Sequence, residues 1–190
     1  MQLELFGTGR RTLVGDQTGK IEYVPDLVDG ETAARWFAEL RECVGWNSSR
    51  RMMYDREVDV PRQTASYRLD GTLPVALREA SASVARVSDA PFTSAGLNYY
   101  RDGRDSVAPH NDHLNEIVAG HPIVLLSLGA TRRMTIRSKS RPRRAFDVDL
   151  ESGSLLLMSY ETQLHYDHSI PKTKGAVGPR ISVALRVRPA

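Results

Sequence analysis

The chain has 190 residues, of which 41% are apolar and 26% charged, with a formal net charge of +3. That apolar share excludes a disordered polyelectrolyte, and no apolar run approaches the ~20 residues a membrane helix needs. Cys43 is the only cysteine, so an internal disulfide is excluded and a reduced, cytoplasmic setting is expected.

Met1 to Gly7 shows no basic start leading into a long apolar stretch, which predicts no secretory signal. Lys20 to Pro25 predicts a short strand ended by proline. Glu31 to Val44 predicts a helix, because Trp36, Phe37, Leu40 and Val44 fall on one apolar stripe. Asp29-Gly30 ahead of it supplies a cap and turn. Leu77, Ala80, Val84 and Val87 mark a second amphipathic helix, with Pro74 near its first turn. The second half reads as short strands separated by Gly, Pro, Ser and Asp turns: 95–100, 122–128, 133–137, 145–150, 154–160 and 181–187. Helices first and strands afterwards predict an α+β protein, a jelly roll (double-stranded β-helix) whose helices support one face.

Three residues in the strand-rich half have the chemistry of a metal site. In Pro109-His110-Asn111-Asp112, His110 and Asp112 are two apart, so an extended segment sends both to one side. A later histidine must complete the set. His165 and His168 are the candidates, and His168, just past the strand 154–160, is the better placed. Two imidazoles and a carboxylate on one face of a metal leave the opposite positions open, which suits Fe(II) oxygen chemistry. His-x-Asp alone is common by chance, so this pattern needs support from elsewhere in the chain.

That support comes from the C-terminal segment Pro179 to Arg188. As a strand it puts Arg180, Ser182, Ala184 and Arg186 on one face, and Ile181, Val183, Leu185 and Val187 on the other. Two guanidinium groups separated by small residues leave room for a dicarboxylate, which arginine's planar fork matches. Asn98 and Tyr100, two apart on an earlier strand, add neutral hydrogen bonds. Two surface arginines on an edge strand would give the same pattern. The basic run Arg132, Arg133, Arg137, Lys139, Arg141, Arg143 and Arg144 contains no acid between Thr131 and Arg144. It reads equally as a solvated strand–loop face or as a phosphate-binding strip.

Taken together, these pieces resemble the AlkB-like family of Fe(II)/2-oxoglutarate-dependent dioxygenases. The pieces that carry the resemblance run in order from Tyr54–Ala65, through Leu97-Asn98-Tyr99-Tyr100 and His110-x-Asp112, to Pro122–Ala130, Gly153–Met158, His168-Ser169-Ile170-Pro171 and Pro179-Arg180 to Arg186. The resemblance implies a single domain over 1–190, with about 1–90 giving helices and a substrate lid and about 91–190 the jelly-roll core. It implies iron ligands His110, Asp112 and His168, and 2-oxoglutarate contacts from Asn98, Tyr100, Arg180, Ser182 and Arg186. Ser182 stands where the family has Asn. Arg180 would hold the distal carboxylate and Arg186 the end nearer the metal. O2 would be the second cosubstrate, and an N-alkylated base in nucleic acid, single-stranded or flipped, the substrate. DNA alkylation repair is the function this implies, with no membrane role and no obligate protein partner.

The substrate side departs from the family. Leu114 replaces the acid that repair members place two residues after the ligand Asp. The lid reading Ser66 to Pro74 lacks a longer aromatic hairpin, leaving Tyr67 as a stacking candidate, while Arg50, Arg51, Arg62 and Arg68 add charge in the lid half. The same chemistry on a protein side chain or small molecule is the alternative. A zinc hydrolase with the same ligands gives no reason for Arg180 and Arg186, and a silent binding module gives none for intact ligands.

Overall fold

The computed structural model describes residues 9–53 and 56–189, with side chains of 49–59 outside that description. The expectations for Met1–Gly7, for Arg50 and Arg51, and for Tyr54–Asp59 therefore lie outside the described residues or side chains.

An antiparallel hairpin, β1 (Arg11–Asp16) and β2 (Gly19–Val24), opens the described chain and leads into α1 (Gly30–Cys43). The Asp29 carboxylate accepts from the Thr32 backbone N–H at 2.7 Å, the expected cap, which contributes about 1 kcal/mol to the helix. The long hairpin β3 (Asn47–Met53) and β4 (Arg56–Arg68) follows, then α2 (Val75–Val84) and β5 (Ser94–Tyr100). Pro74 is the residue before α2, where its missing N–H costs nothing. The rest is strand: β6 (Val107–His110), β7 (Ile123–Gly129), β8 (Arg132–Ser138), β9 (Ala145–Leu150), β10 (Leu155–Met158), β11 (Tyr166–Ile170) and β12 (Arg180–Arg186), with the one-turn α3 (Thr162–His165) before β11.

The strands form two antiparallel sheets. The larger runs β1-β2-β10-β7-β12-β5-β4-β3 and the smaller β6-β11-β8-β9. This is the jelly-roll arrangement with helices on one side. The larger sheet draws strands from both halves of the chain, so the first half supplies more than helices and a lid. Ser66, Tyr67 and Arg68, expected in the lid, pair with Gly96, Ala95 and Ser94 of β5. They are strand because their backbone groups have a ladder to join.

Two cores follow from strand alternation. Trp36 and Leu40 of α1 and Leu77 and Val84 of α2 pack on the outer face of the large sheet, against Leu126, Leu128, Ile181, Val183 and Leu185. Between the sheets, Ile123, Leu125 and Met158 meet Met134, Ile136 and Ile170. β7 is covered on both faces, which explains why its sequence reads as a continuous apolar run. Fully burying each such aliphatic side chain contributes roughly 1.5–3 kcal/mol. No helix among the described residues is long and apolar enough to cross a membrane.

Candidate active site

The metal ligands are brought together by strand register. β11 pairs with β6 so that His168 lies directly opposite His110, and their ring centroids are 4.4 Å apart. Asp112 follows two residues past the end of β6. One ligand atom from each of His110, Asp112 and His168 lies within 4.8 Å of the others, so the three form a possible metal site, and His165 is not part of it. His110 Nδ1 donates to the Ala108 carbonyl at 2.9 Å, which fixes the tautomer and leaves Nε2 as a lone-pair donor. The Asp112 backbone N–H donates to Gln163 Oε1 at 2.9 Å.

The carboxylate itself is gripped by Arg186. Nε and Nη2 donate to the two Asp112 oxygens, each at 2.9 Å. Burial alone would raise the Asp112 pKa, but Arg186 outweighs it and holds the carboxyl below its usual range. Burial, reinforced by His110, pushes His168 down to about 4. Around neutral pH the site therefore offers a neutral imidazole and an anionic carboxylate, the states in which these groups bind metal. Gly96 faces this arginine: a Cβ there would stand 3.2 Å from Arg186 Nη1.

Beside the ligands lies a pocket between the two sheets. Its lining includes Asn98 and Tyr100 from β5, Arg180, Ser182 and Arg186 from β12, and His110 and His168 from the small sheet. The alternation expected for β12 therefore holds, with the polar set inward and the apolar set in the helix-side core. Arg180 is 0% exposed. Its Nε donates to Ser127 Oγ at 2.9 Å, while Nη1 and Nη2 are buried without a partner among the described residues. Burial lowers its pKa, yet arginine stays charged, so this is a buried cation with two vacant donors. Such an arrangement is unfavourable until an anion arrives. A carboxylate on that fork supplies the missing acceptors, so the residues present fit a small dicarboxylate, and the nearby N,N,O donor set fits Fe(II).

The substrate-side expectations fare differently. Arg62 does line the pocket, and its Nε donates to Asn98 Oδ1 at 2.7 Å. That bond turns the Asn98 amide nitrogen toward Ser182 Oγ, 3.5 Å away. Tyr67 lies on the opposite face of β4 from Arg62, where it packs with Ala65 and Leu69 against the helix-side core and is not among the residues that line the pocket. Leu114 sits in a single 3₁₀ turn (Leu114–Glu116) and packs against the inter-sheet core, outside the pocket lining. Glu116, its neighbour, pairs with Arg188 at 3.1 Å.

The basic run divides as well. Arg132 is 2% exposed, because β8 alternation sets it inward with Met134 and Ile136. It donates to the carbonyls of Asp102, Asp105 and Pro171, so it cannot hold phosphate. Arg133 pairs with Asp147 and Asp149. Arg137, Arg141, Arg143 and Arg144 are exposed and form no side-chain ion pair among the described residues. Sequence reasoning missed Ser127 and Gln163, which hold Arg180 and Asp112. Ser127 had a signal: it is the lone polar residue in an otherwise apolar strand.

Comparison with known proteins agrees with this geometry. Residues 20–186 match the model of the 2OG-Fe(II) oxygenase superfamily. The DNA oxidative demethylase ALKBH2 of Mus musculus is 36% identical over 110 residues, covering 54% of this chain and 46% of the relative. Its Homo sapiens counterpart is 34% identical over 110 residues, 54% and 42% respectively. The alpha-ketoglutarate-dependent dioxygenase alkB homolog 3 of Mus musculus is 28% identical over 185 residues, covering 85% of this chain and 64% of the relative. The chain thus spans less than half the length of the ALKBH2 proteins it matches. With a family match over most of its length and a site that suits the family's metal and cosubstrate, the chain belongs to the 2OG-Fe(II) oxygenase superfamily.

Proposed function

We propose that the chain is an Fe(II)/2-oxoglutarate-dependent dioxygenase that oxidatively demethylates N-alkylated bases in nucleic acid. The observation that carries the chemistry is the buried Arg180 fork, with two vacant nitrogens in the same pocket as His110 and His168. In this reading His110, Asp112 and His168 hold the iron. Arg180 takes the distal carboxylate of 2-oxoglutarate, seated by Ser127. Tyr100 and Asn98 flank the cosubstrate, and Ser182 meets it through its hydroxyl. Arg186 keeps Asp112 ionised and aimed. When bound, iron and 2-oxoglutarate with O2 convert an N-methyl carbon to N-hydroxymethyl while 2-oxoglutarate becomes succinate and carbon dioxide. The N-hydroxymethyl group then loses formaldehyde and leaves N–H. The protein's part is to orient the reactants and to shield the cavity.

The nucleic-acid substrate is supported by the ALKBH2 relatives and by the exposed arginines Arg137, Arg141 and Arg143, which form no ion pair among the described residues. A modified base must leave its stack, or start in a single strand, to reach a pocket between sheets. A reducing, cytoplasmic compartment without an obligate protein partner completes the reading. The test is succinate and formaldehyde release with N-methylated single-stranded DNA. Formaldehyde and restored base in equal amounts support the proposal. Succinate release with no base restored transfers the chemistry to a protein side chain or small molecule.

A further inference from the structure

Asp112 is the metal ligand with the least backbone support. His110 and His168 sit on paired strands, whereas Asp112 lies beyond β6 in an irregular segment with no ladder to join. β6 is itself an edge strand, paired with β11 through an irregular register. Side chains must therefore hold this loop in place. Arg186 grips the Asp112 carboxylate from one side. From the other, Gln163, 1% exposed, accepts from the Asp112 N–H at 2.9 Å. Gln163 stands on α3, a single helical turn that needs an anchor of its own.

Lys139 supplies that anchor. It follows β8 directly, and its backbone N–H donates to the carbonyl of His165, the last residue of α3, at 2.9 Å. Its Nζ donates to the Gln163 carbonyl and to Asn111 Oδ1, each at 2.8 Å, and lies 3.7 Å from Asp167 Oδ1. Asn111 separates His110 from Asp112, Gln163 holds Asp112, and Asp167 precedes His168. One ammonium thus joins the segments that carry or seat all three ligands. It has three N–H donors, and two bonded oxygens with a nearby carboxylate take them up. Arg141 and Arg143, its neighbours in the basic run, form no ion pair among the described residues.

We infer that Lys139 is a positioning residue for the metal site, setting the placement of His110, Asp112 and His168 through Asn111, Gln163 and Asp167, and is not a phosphate contact of the basic run. The inference rests on the metal-site reading above. Loss of a partner that orients metal ligands costs about 10- to 100-fold in metal affinity. Lys139 acts at one remove, so the lower end of that range is expected.

The test titrates Mn(II) calorimetrically into the metal-free full chain, with circular dichroism to confirm the fold of each variant. Lys139→Met should weaken Mn(II) binding about tenfold. It should leave unchanged the salt dependence of binding to unmodified single-stranded DNA, which a lost phosphate contact would lower. Asn111→Ala removes the same bond from its other end and leaves the cation in place. It too should weaken Mn(II) binding, and the double variant should lose less than the product of the two single losses. An unchanged Mn(II) affinity in Lys139→Met overturns the inference, as do losses that simply multiply. Should Lys139→Met not fold, Asn111→Ala decides alone, and an unchanged affinity there overturns the inference. Wild type and His168→Ala binding Mn(II) equally well would instead overturn the metal-site reading on which it rests.

Discussion

Two buried arginines flank one tyrosine ring, and their difference separates scaffold from site. The Cζ of Arg132 lies 5.5 Å from the Tyr100 centroid, and that of Arg180 lies 5.1 Å from it. Both are buried and both cations are desolvated. Arg132 spends its terminal nitrogens on three backbone carbonyls, tying together the 101–105 turn and the strand end after β11. Arg180 anchors only its Nε and leaves the fork bare. Burial of a charge is therefore not the signal of function, since either role produces it. The signal is where the donors end: on the chain's own carbonyls, or in a cavity shared with metal-ligating groups.

The largest effect is expected where that cavity meets the metal. His168→Ala should lower succinate formation by more than about 100-fold, beyond the loss typical of an outer-shell partner, and should weaken metal binding in calorimetric titration. His165→Ala should leave most of both, because His165 lies outside the ligand group. The reverse result would reassign the third ligand.

The comparison itself breaks or holds on the paired substitutions Arg180→Met and Arg132→Met. Arg180→Met should raise the 2-oxoglutarate KM roughly 10- to 100-fold, the loss of a charge-assisted fork. The ligand-free protein should be no less stable, since a buried charge without acceptors is removed. Arg132→Met should do the opposite. Three carbonyls lose their donor, which destabilises by roughly 3 kcal/mol or more, while the KM stays where it was. Thermal unfolding of the ligand-free variants beside 2-oxoglutarate saturation curves reads both signs. Matching signs for the two variants would erase the distinction.

A smaller effect lies on the scaffold side. Asp105 is buried and accepts from the Arg101 backbone N–H, Nε and Nη2. Burial pushes its pKa up, but those bonds more than offset this and hold it below the usual 3.8. A carboxylate depressed in the folded state stabilises above its unfolded pKa and loses that contribution as pH falls through the folded value. Asp105→Asn should therefore cost roughly 1–3 kcal/mol near neutral pH. The gap between variant and wild type should shrink below pH 3.8 in urea titrations across pH. A gap that widens in acid would contradict the sign.

How much of this could be read from residues alone varies with alternation. β12 was legible because Arg180, Ser182, Ala184 and Arg186 interleave with aliphatic residues, and the structure keeps both faces. The His110 and His168 pair was legible as chemistry, while the cross-strand register that joins them was not. β11 was missed because Tyr166-Asp167-His168-Ser169 is mostly polar, as strands lining a polar site are. β4 was missed because Pro61 interrupts it and its polar face points at the pocket side. The period of two was available for Arg132 and Tyr67 but was not used. Arg132 shares parity with Met134 and Ile136, and Tyr67 with Ala65 and Leu69. In both cases residue type was weighed above position in the strand, and position decided the outcome.

The same distinction between matched and unmatched arginines extends to the surface, where effects are smallest. Arg133 is matched by Asp147 and Asp149 across the β8–β9 hairpin, whereas Arg141 flanks a groove beside the β1–β2 hairpin with no ion pair among the described residues. A matched arginine has already given up its counter-ion and gains little from phosphate. An unmatched one releases a counter-ion on contact. If the hairpin touches the strand, Arg141→Ala should reduce the slope of log K against log salt by about 0.7 for single-stranded DNA. Arg133→Ala should leave the slope unchanged. Affinity for unmodified single-stranded DNA, measured from low to physiological salt, isolates this term from base recognition in the pocket. A slope that responds to Arg133 as strongly as to Arg141 would mean that local pairing does not determine which surface arginines meet the backbone.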